Sequence, residues 1–209
     1  MRGGGPCDPV RKAFRPSCGQ ENHDLDFAVH VASWEHYECL KSSLLADERF
    51  KEDVSQEQRL IYGNFLVIDL IPYGPLSSEE MEIVWPGSGN AMEVVGFEEI
   101  YESSLRVNVN DSLELRVLTP PSLLALKLLA WKDRRMSKPR SDAKDIATIV
   151  NAGKEWYRSE LFEEYLDVME ESEYDPDLAS AIVLGIQIGE TLHRPMGSIL
   201  CGILGREIE

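Results

Sequence analysis

The sequence predicts an α+β protein, with a mixed β-sheet and flanking helices first and a helical C-terminal region after it. Three observations carry that expectation. Short apolar runs bounded by Gly, Pro and Asn are confined to residues 21–118. From Pro120 onward, apolar residues recur at three- and four-residue spacing. Between the two regimes stand Pro120 and Pro121, which open helices well and continue strands badly. The chain accordingly divides into an irregular leader at 1–20, an α/β core at 21–118 and a helical region at 119–209.

The leader is rich in Gly, Pro and Arg and has no periodicity. Residues 24–31 predict a strand with Leu25, Phe27, Val29 and Val31 on one face. Ser33 then caps a helix to about Ala46, with Trp34, Tyr37, Leu40, Leu44 and Leu45 at helical spacing. The runs "QRLIYG" (58–63) and "FLVIDLIPY" (65–73) flank Gly63-Asn64, a tight-hairpin pair. A Ser-, Glu- and Gly-rich loop containing "WPGSGN" follows, then short strands around a short helix at Phe97–Leu105, with "LELRVL" (113–118) as a strand. Thr119 caps a helix to about Arg135, and Ser141 caps another that stops near Gly153. Further helices are expected over 156–171 and 176–192, joined by the solvated acidic run "ESEYDPD"; the tail from Pro195 has no clear reading.

The bulk numbers exclude several classes. A chain of 209 residues, 43% apolar and 28% charged, can bury a core. It has no apolar run of about 20 residues and no apolar segment near its start, which favours a cytoplasmic location. Cys7, Cys18, Cys39 and Cys201 are scattered, as expected of free thiols in a reducing compartment. A net charge of −16 argues against non-specific binding to DNA or to an anionic membrane. That charge is uneven: residues 120–144 hold seven basic side chains against two acidic, whereas 151–209 hold four against thirteen. The basic island is a candidate phosphate site, or simply a solvated surface.

Asp24 and Asp26 are two apart in a strand, so both carboxylates face one way and repel unless a cation lies between them. Asp69 sits within the apolar strand Leu66–Ile71, where it must be protonated, ion-paired or bound to a cation. If the two strands are neighbours, Asp24, Asp26 and Asp69 converge on one sheet surface. Carboxylates without a matching His or Cys cluster favour a hard ion such as Mg²⁺. Taken singly, the D-x-D is a common strand end and Asp69 a common ion-pair partner. Lys127 lies in the apolar helix "SLLALKLLAWKDR" and needs an anionic partner or must snorkel to solvent.

Four blocks, "NHDLDFAVHV", "FLVIDLIPYG", "GFEEIYESS" and "LLALKLLAWKDRRMSKPRSDAKDIATIV", together resemble the nucleotidyltransferase-fold family, in particular the AbiEii-type toxins, relatives of polymerase β and the antibiotic nucleotidyltransferases. The resemblance covers roughly residues 22–152 in order. It implies a nucleotidyltransferase-like sheet, with Asp24, Asp26 and Asp69 as ligands of two Mg²⁺ ions. It also implies a nucleoside triphosphate as substrate, Lys127 on the triphosphate, and Lys132 and Arg134 nearby as nucleotide-binding residues. Asp142 and Asp145 of "DAKDI" either share the site or cap and pair with the basic turn. The acceptor is a cationic small molecule, a protein hydroxyl or an RNA end. In one respect the sequence departs from the family. A strand and a Gly-Gly or Gly-Ser turn should precede the D-x-D, but Pro6, Pro9 and Pro16 interrupt the short leader, so a truncated or degenerate start is expected.

Two other classes compete. One is a binding module on the same fold that has lost catalysis. The other is a toxin–antitoxin-like interaction protein whose acidic C-terminal helices cover a basic partner.

Overall fold

The structure, a computed structural model, describes residues 24–134, 139–192 and 194–206. These residues form two compact units that divide between Glu98 and Glu99. The leader, together with Cys7, Cys18 and His23, lies outside the described residues.

The first unit is built on a four-stranded sheet. Its elements are β1 (Asp24–His30), α1 (Trp34–Leu45), β2 (Phe50–Glu52), β3 (Arg59–Tyr62) and β4 (Leu66–Tyr73). The strand order is β1-β4-β3-β2, with β1 parallel to β4 and the other pairs antiparallel. The expected hairpin is present. Gly63 and Asn64 both take positive φ, 61° and 68°, within a three-residue loop, Gly63 to Phe65, that joins the paired Tyr62 and Leu66. The start of α1 also falls where expected, with the Ser33 side chain accepting from the His36 backbone N–H at 3.4 Å.

Helix α1 covers one face of the sheet and closes the core. Tyr37, Leu60, Ile68, Leu70, Tyr73, Ile83, Trp85 and Val94 are buried there, with Trp34, Leu44 and Leu45 packed against them. Trp34, Tyr37 and Trp85 stack as a trio with ring centroids 5.3–5.8 Å apart. The buried Tyr37 hydroxyl donates to the Leu70 carbonyl at 3.1 Å, which satisfies it. Of the apolar face expected on β1, only Val29 and Val31 join this core. Leu25 and Phe27 are 44% and 38% exposed, because β1 is an edge strand and the cluster lies toward its C-terminal end.

Strands β2 and β5 (Glu82–Val84) escape the sequence reading. Strand β2 has three residues, too few for a periodicity, and depends on its pairing with β3. Residues 82–93 form an antiparallel ribbon of β5 (Glu82–Val84) and β6 (Ala91–Glu93), with "WPGSGN" as its turn. Helix α2 (Phe97–Ser103) then spans the division between the units.

The second unit opens with a ribbon, β7 (Leu105–Asn110) and β8 (Leu113–Val117). Helices follow: α3 (Pro120–Arg134), α4 (Pro139–Trp156), α5 (Glu160–Glu163), α6 (Leu166–Glu171), α7 (Pro176–Thr191) and α8 (Arg194–Arg206). Thr119 caps α3 as expected: its Oγ1 accepts from the Ser122 N–H at 3.3 Å. Three expectations are corrected. Helix α4 starts at Pro139 instead of after a Ser141 cap, with proline serving as its first residue. It also runs through Gly153, where a Cβ would stand 3.1 Å from Ser180 Oγ and 3.3 Å from Leu184 Cδ1, so that glycine admits α7 instead of ending the helix. The expected helix over 156–171 is broken at Tyr165 (φ −120°, ψ 39°) into α5 and α6. Tyr165 there accepts from Gln187 Nε2 at 3.2 Å, while Gln187 Oε1 accepts from the Tyr157 hydroxyl at 2.8 Å.

No helix among the described residues is long and apolar enough to cross a membrane.

Candidate active site

The β1–β4 register decides where the expected carboxylates stand. Asp26 lies directly opposite Asp69, and Asp24 is opposite Val67. Directly paired residues of neighbouring strands share a face, and residues two apart share it too. Asp24, Asp26 and Asp69 are therefore on one side of the sheet, the side opposite the Leu60–Ile68–Leu70 core.

A fourth residue completes that face. Arg59 on β3 is opposite Asp69 on β4. Its Nε donates to Asp69 Oδ1 and its Nη2 to Oδ2, each at 2.8 Å. The Asp69 side chain is 15% exposed and that of Arg59 32%. This two-pronged, partly buried pair is the strong form of carboxylate recognition. It pushes the Arg59 guanidinium's pKa further up, chiefly through the Asp69 hydrogen bonds, with Asp24 and Asp53 adding their charge. Asp24 and Asp26 are exposed.

The donor set matches a hard divalent cation in its chemistry: three carboxylates from two adjacent strands on one face. The side chains as placed do not gather around a shared ion. Among the described residues, no group of three or more His, Cys, Asp or Glu side chains is positioned to hold one. Arg59 is a cation on this face, held by Asp69.

The basic residues belong to the second unit. Lys127 Nζ donates to Asp145 Oδ2 at 2.7 Å, joining α3 to α4. Asp142 is buried in the first turn of α4. Lys132 Nζ lies 3.7 Å from Asp133 Oδ1. Arg134 ends α3 and Arg140 lies in the first turn of α4, while Arg135 and Lys138 lie outside the described residues.

The "WPGSGN" loop does hold an anion, and the anion is the protein's own. Glu57 accepts from the Gly87 and Ser88 backbone N–H groups, each at 2.8 Å. The Ser88 side chain first, and then these backbone groups, hold the Glu57 carboxyl below its ordinary range. A Cβ on Gly87 would fall 2.7 Å from Glu57 Oε2, so the cradle needs glycine. Lys41, only 8% exposed, supports the same corner: it donates to the Glu57 carbonyl at 3.0 Å and pairs with Glu52 at 2.9 Å.

Sequence reading missed Arg59, and the expected turn would have misplaced it. A two-residue Gly63-Asn64 turn pairs Tyr62 with Phe65 and sets Arg59 opposite Ile68; the three-residue loop Gly63 to Phe65 shifts the register by one and sets Arg59 opposite Asp69. Glu57 was not announced either, since its partners lie 30 and 31 residues away.

No protein-family model matches the chain, and no curated protein matches it.

Proposed function

We propose that this chain is a Mg²⁺-dependent nucleotidyltransferase that moves a nucleoside monophosphate from a nucleoside triphosphate to a hydroxyl acceptor. The observation that carries the reading is the register: Asp26 opposite Asp69, with Asp24 two residues away on the same face. The resemblance of the four sequence blocks supports it.

Asp24, Asp26 and Asp69 are the residues that would hold the metal. Bound there, Mg²⁺ supplies charge neutralisation for the phosphates and acidity for the attacking hydroxyl. The acceptor oxygen bonds to the α-phosphorus as the bond from that phosphorus to pyrophosphate breaks. The Asp69 carboxylate takes the hydroxyl proton and passes it to solvent. The resemblance assigns Lys127 to the triphosphate, where its ammonium, paired here with Asp145, would offset charge on a phosphate oxygen, and it assigns Lys132 and Arg134 to nucleotide contact. A cationic small molecule, a protein hydroxyl and an RNA end all suit the acceptor role in an acidic chain with one basic segment.

The test is incubation with each α-labelled triphosphate and Mg²⁺, comparing wild type with D24A and D26A. Label transfer or pyrophosphate release in the wild type, reduced at least about 100-fold in both variants, is the expected result. Equal turnover in all three contradicts the proposal.

A second reading draws on a different observation. The Arg59–Asp69 pair already satisfies Asp69 without metal, as in a nucleotide- or partner-binding module that has lost transfer. Nucleotide binding without pyrophosphate release favours that reading.

A further inference from the structure

We propose that the open edge of β1 pairs with the same edge of a second copy of this chain, antiparallel about Phe27, so that two four-stranded sheets join across a two-fold axis. This pairing does not depend on the catalytic reading.

The edge has what pairing requires. Strand β1 ends the sheet order β1-β4-β3-β2, so among the described residues no strand lies on its other side. It runs for seven residues, Asp-Leu-Asp-Phe-Ala-Val-His, with no lysine, glycine or proline to blunt it. Val31, just beyond it, donates its N–H to the Tyr73 carbonyl of β4 at 3.0 Å. Backbone groups alternate in direction along a strand. Those of Leu25, Phe27 and Val29 therefore also point to β4, and those of Asp24, Asp26, Ala28 and His30 point to the open edge. Leu25 and Phe27 stay 44% and 38% exposed beside that edge.

The sequence of the strand selects the occupant. With Phe27 on the axis, every residue of the strand is paired. Asp24 stands opposite His30 of the second copy, Leu25 opposite its Val29, and Asp26 opposite its Ala28. The residues whose backbone points outward then form the hydrogen-bonded pairs, which closes a ladder along the edge. Phe27 and the Leu25–Val29 pairs fall at the closer, non-hydrogen-bonded positions, where apolar side chains meet. Charge is complementary as well, because an aspartate faces an imidazole. His30 Nε2 lies 3.5 Å from Glu98 Oε1, and its Nδ1 has no partner among the described residues. A parallel pairing in register would set Asp24 against Asp24 and Asp26 against Asp26, so the aspartates favour the antiparallel arrangement. Asp26 and its counterpart stand diagonally across the axis, and each copy carries a net charge of −16. Added salt screens both repulsions and should tighten the dimer.

The test is sedimentation equilibrium of the full chain over about 1–300 μM, at low and high salt. A reversible monomer–dimer equilibrium that strengthens with salt is expected. A28P removes an N–H from the open edge and none from the β4 ladder, so it should weaken dimerisation at least about tenfold with an unchanged circular dichroism spectrum. F27K, which puts a charge on the axis, should do the same and decides if A28P does not fold. Cross-linking tests the register: F27C, in a chain whose four cysteines are replaced by serine, sets two thiols at a non-hydrogen-bonded pair within disulfide reach. It should oxidise to a dimer at least about tenfold faster than V29C in the same background. A monomer throughout the range at both salts overturns the proposal. So does a dimer that folded A28P and F27K leave unchanged, or F27C cross-linking no faster than V29C.

Discussion

Single residues in this protein are constrained where a strand pairing or a turn leaves one solution. Gly74 has φ +102°, and a Cβ there would fall 2.6 Å from the His30 ring. His30 in turn packs edge-on to Tyr73, with ring centroids 5.3 Å apart. G74A should therefore destabilise by about 2 kcal/mol or more, from backbone strain and displacement of the imidazole together, measured as a lower denaturant midpoint with an unchanged slope. The Arg59–Asp69 pair sets a different constraint. D69A leaves a partly buried guanidinium without its carboxylate, and should cost about 1–3 kcal/mol, between the values for exposed and fully buried pairs. The demand that Asp69 find a cation was legible in the sequence, since a carboxylate in "LVIDLI" has few alternatives. That Arg59 is one such cation was not legible, because it depends on a three-residue loop where Gly63-Asn64 suggests a two-residue turn. Lys127 was expected to find an anionic partner or to snorkel to solvent, and of the two the structure gives it a partner, Asp145.

Among elements, legibility followed the strength of local chemistry. Helices with a cap and an apolar stripe, α1, α3 and α7, fall within a residue or so of expectation. Asp175 is the clearest cap: its Oδ1 accepts from the Asp177 and Leu178 N–H groups at 2.9 and 3.2 Å, ahead of Pro176. D175A should cost about 1 kcal/mol, read from thermal denaturation. Elements defined by distant partners were not legible. Strand β2 exists through its pairing with β3, and the break at Tyr165 has no Gly or Pro to announce it. Gly153 reads locally as a stop, but it admits α7 against α4. G153V should accordingly destabilise by about 1–3 kcal/mol, through overpacking against Ser180 and Leu184. The Glu57 clasp on the 85–90 turn adds a pH signature. A carboxyl lowered in the folded state contributes above its unfolded pKa, about 4.3, and loses that contribution as pH falls through the lower folded value. The melting-temperature gap between wild type and E57Q should therefore be open at pH 7 and close below about pH 4.

At the scale of the whole molecule, the α+β order and the passage from sheet to helices follow from where alternation gives way to helical spacing. The division into compact units at Glu98–Glu99 groups the β7–β8 ribbon with the helices, a matter of packing that local pattern does not encode. The parallel β1–β4 pairing is likewise a long-range fact, set by burial of the strands' apolar face under α1. It is also the fact on which the catalytic reading depends, because a slip of one residue would turn Asp69 into the core. The net charge of −16 sets the remaining expectation: non-specific duplex DNA should not be retained at physiological salt. If RNA ends are acceptors, K132A should reduce the salt slope of RNA binding by about one.

The most direct measurement of the central claim is a crystal structure grown with Mn²⁺ and a non-hydrolysable nucleoside triphosphate, with anomalous scattering recorded at the manganese edge. The account predicts anomalous density on the Asp24–Asp26–Asp69 face, with carboxylate oxygens at about 2.1–2.2 Å and Asp69 released from at least one Arg59 hydrogen bond. Nucleotide bound with no anomalous density on that face, and the Arg59–Asp69 pair intact, would contradict it.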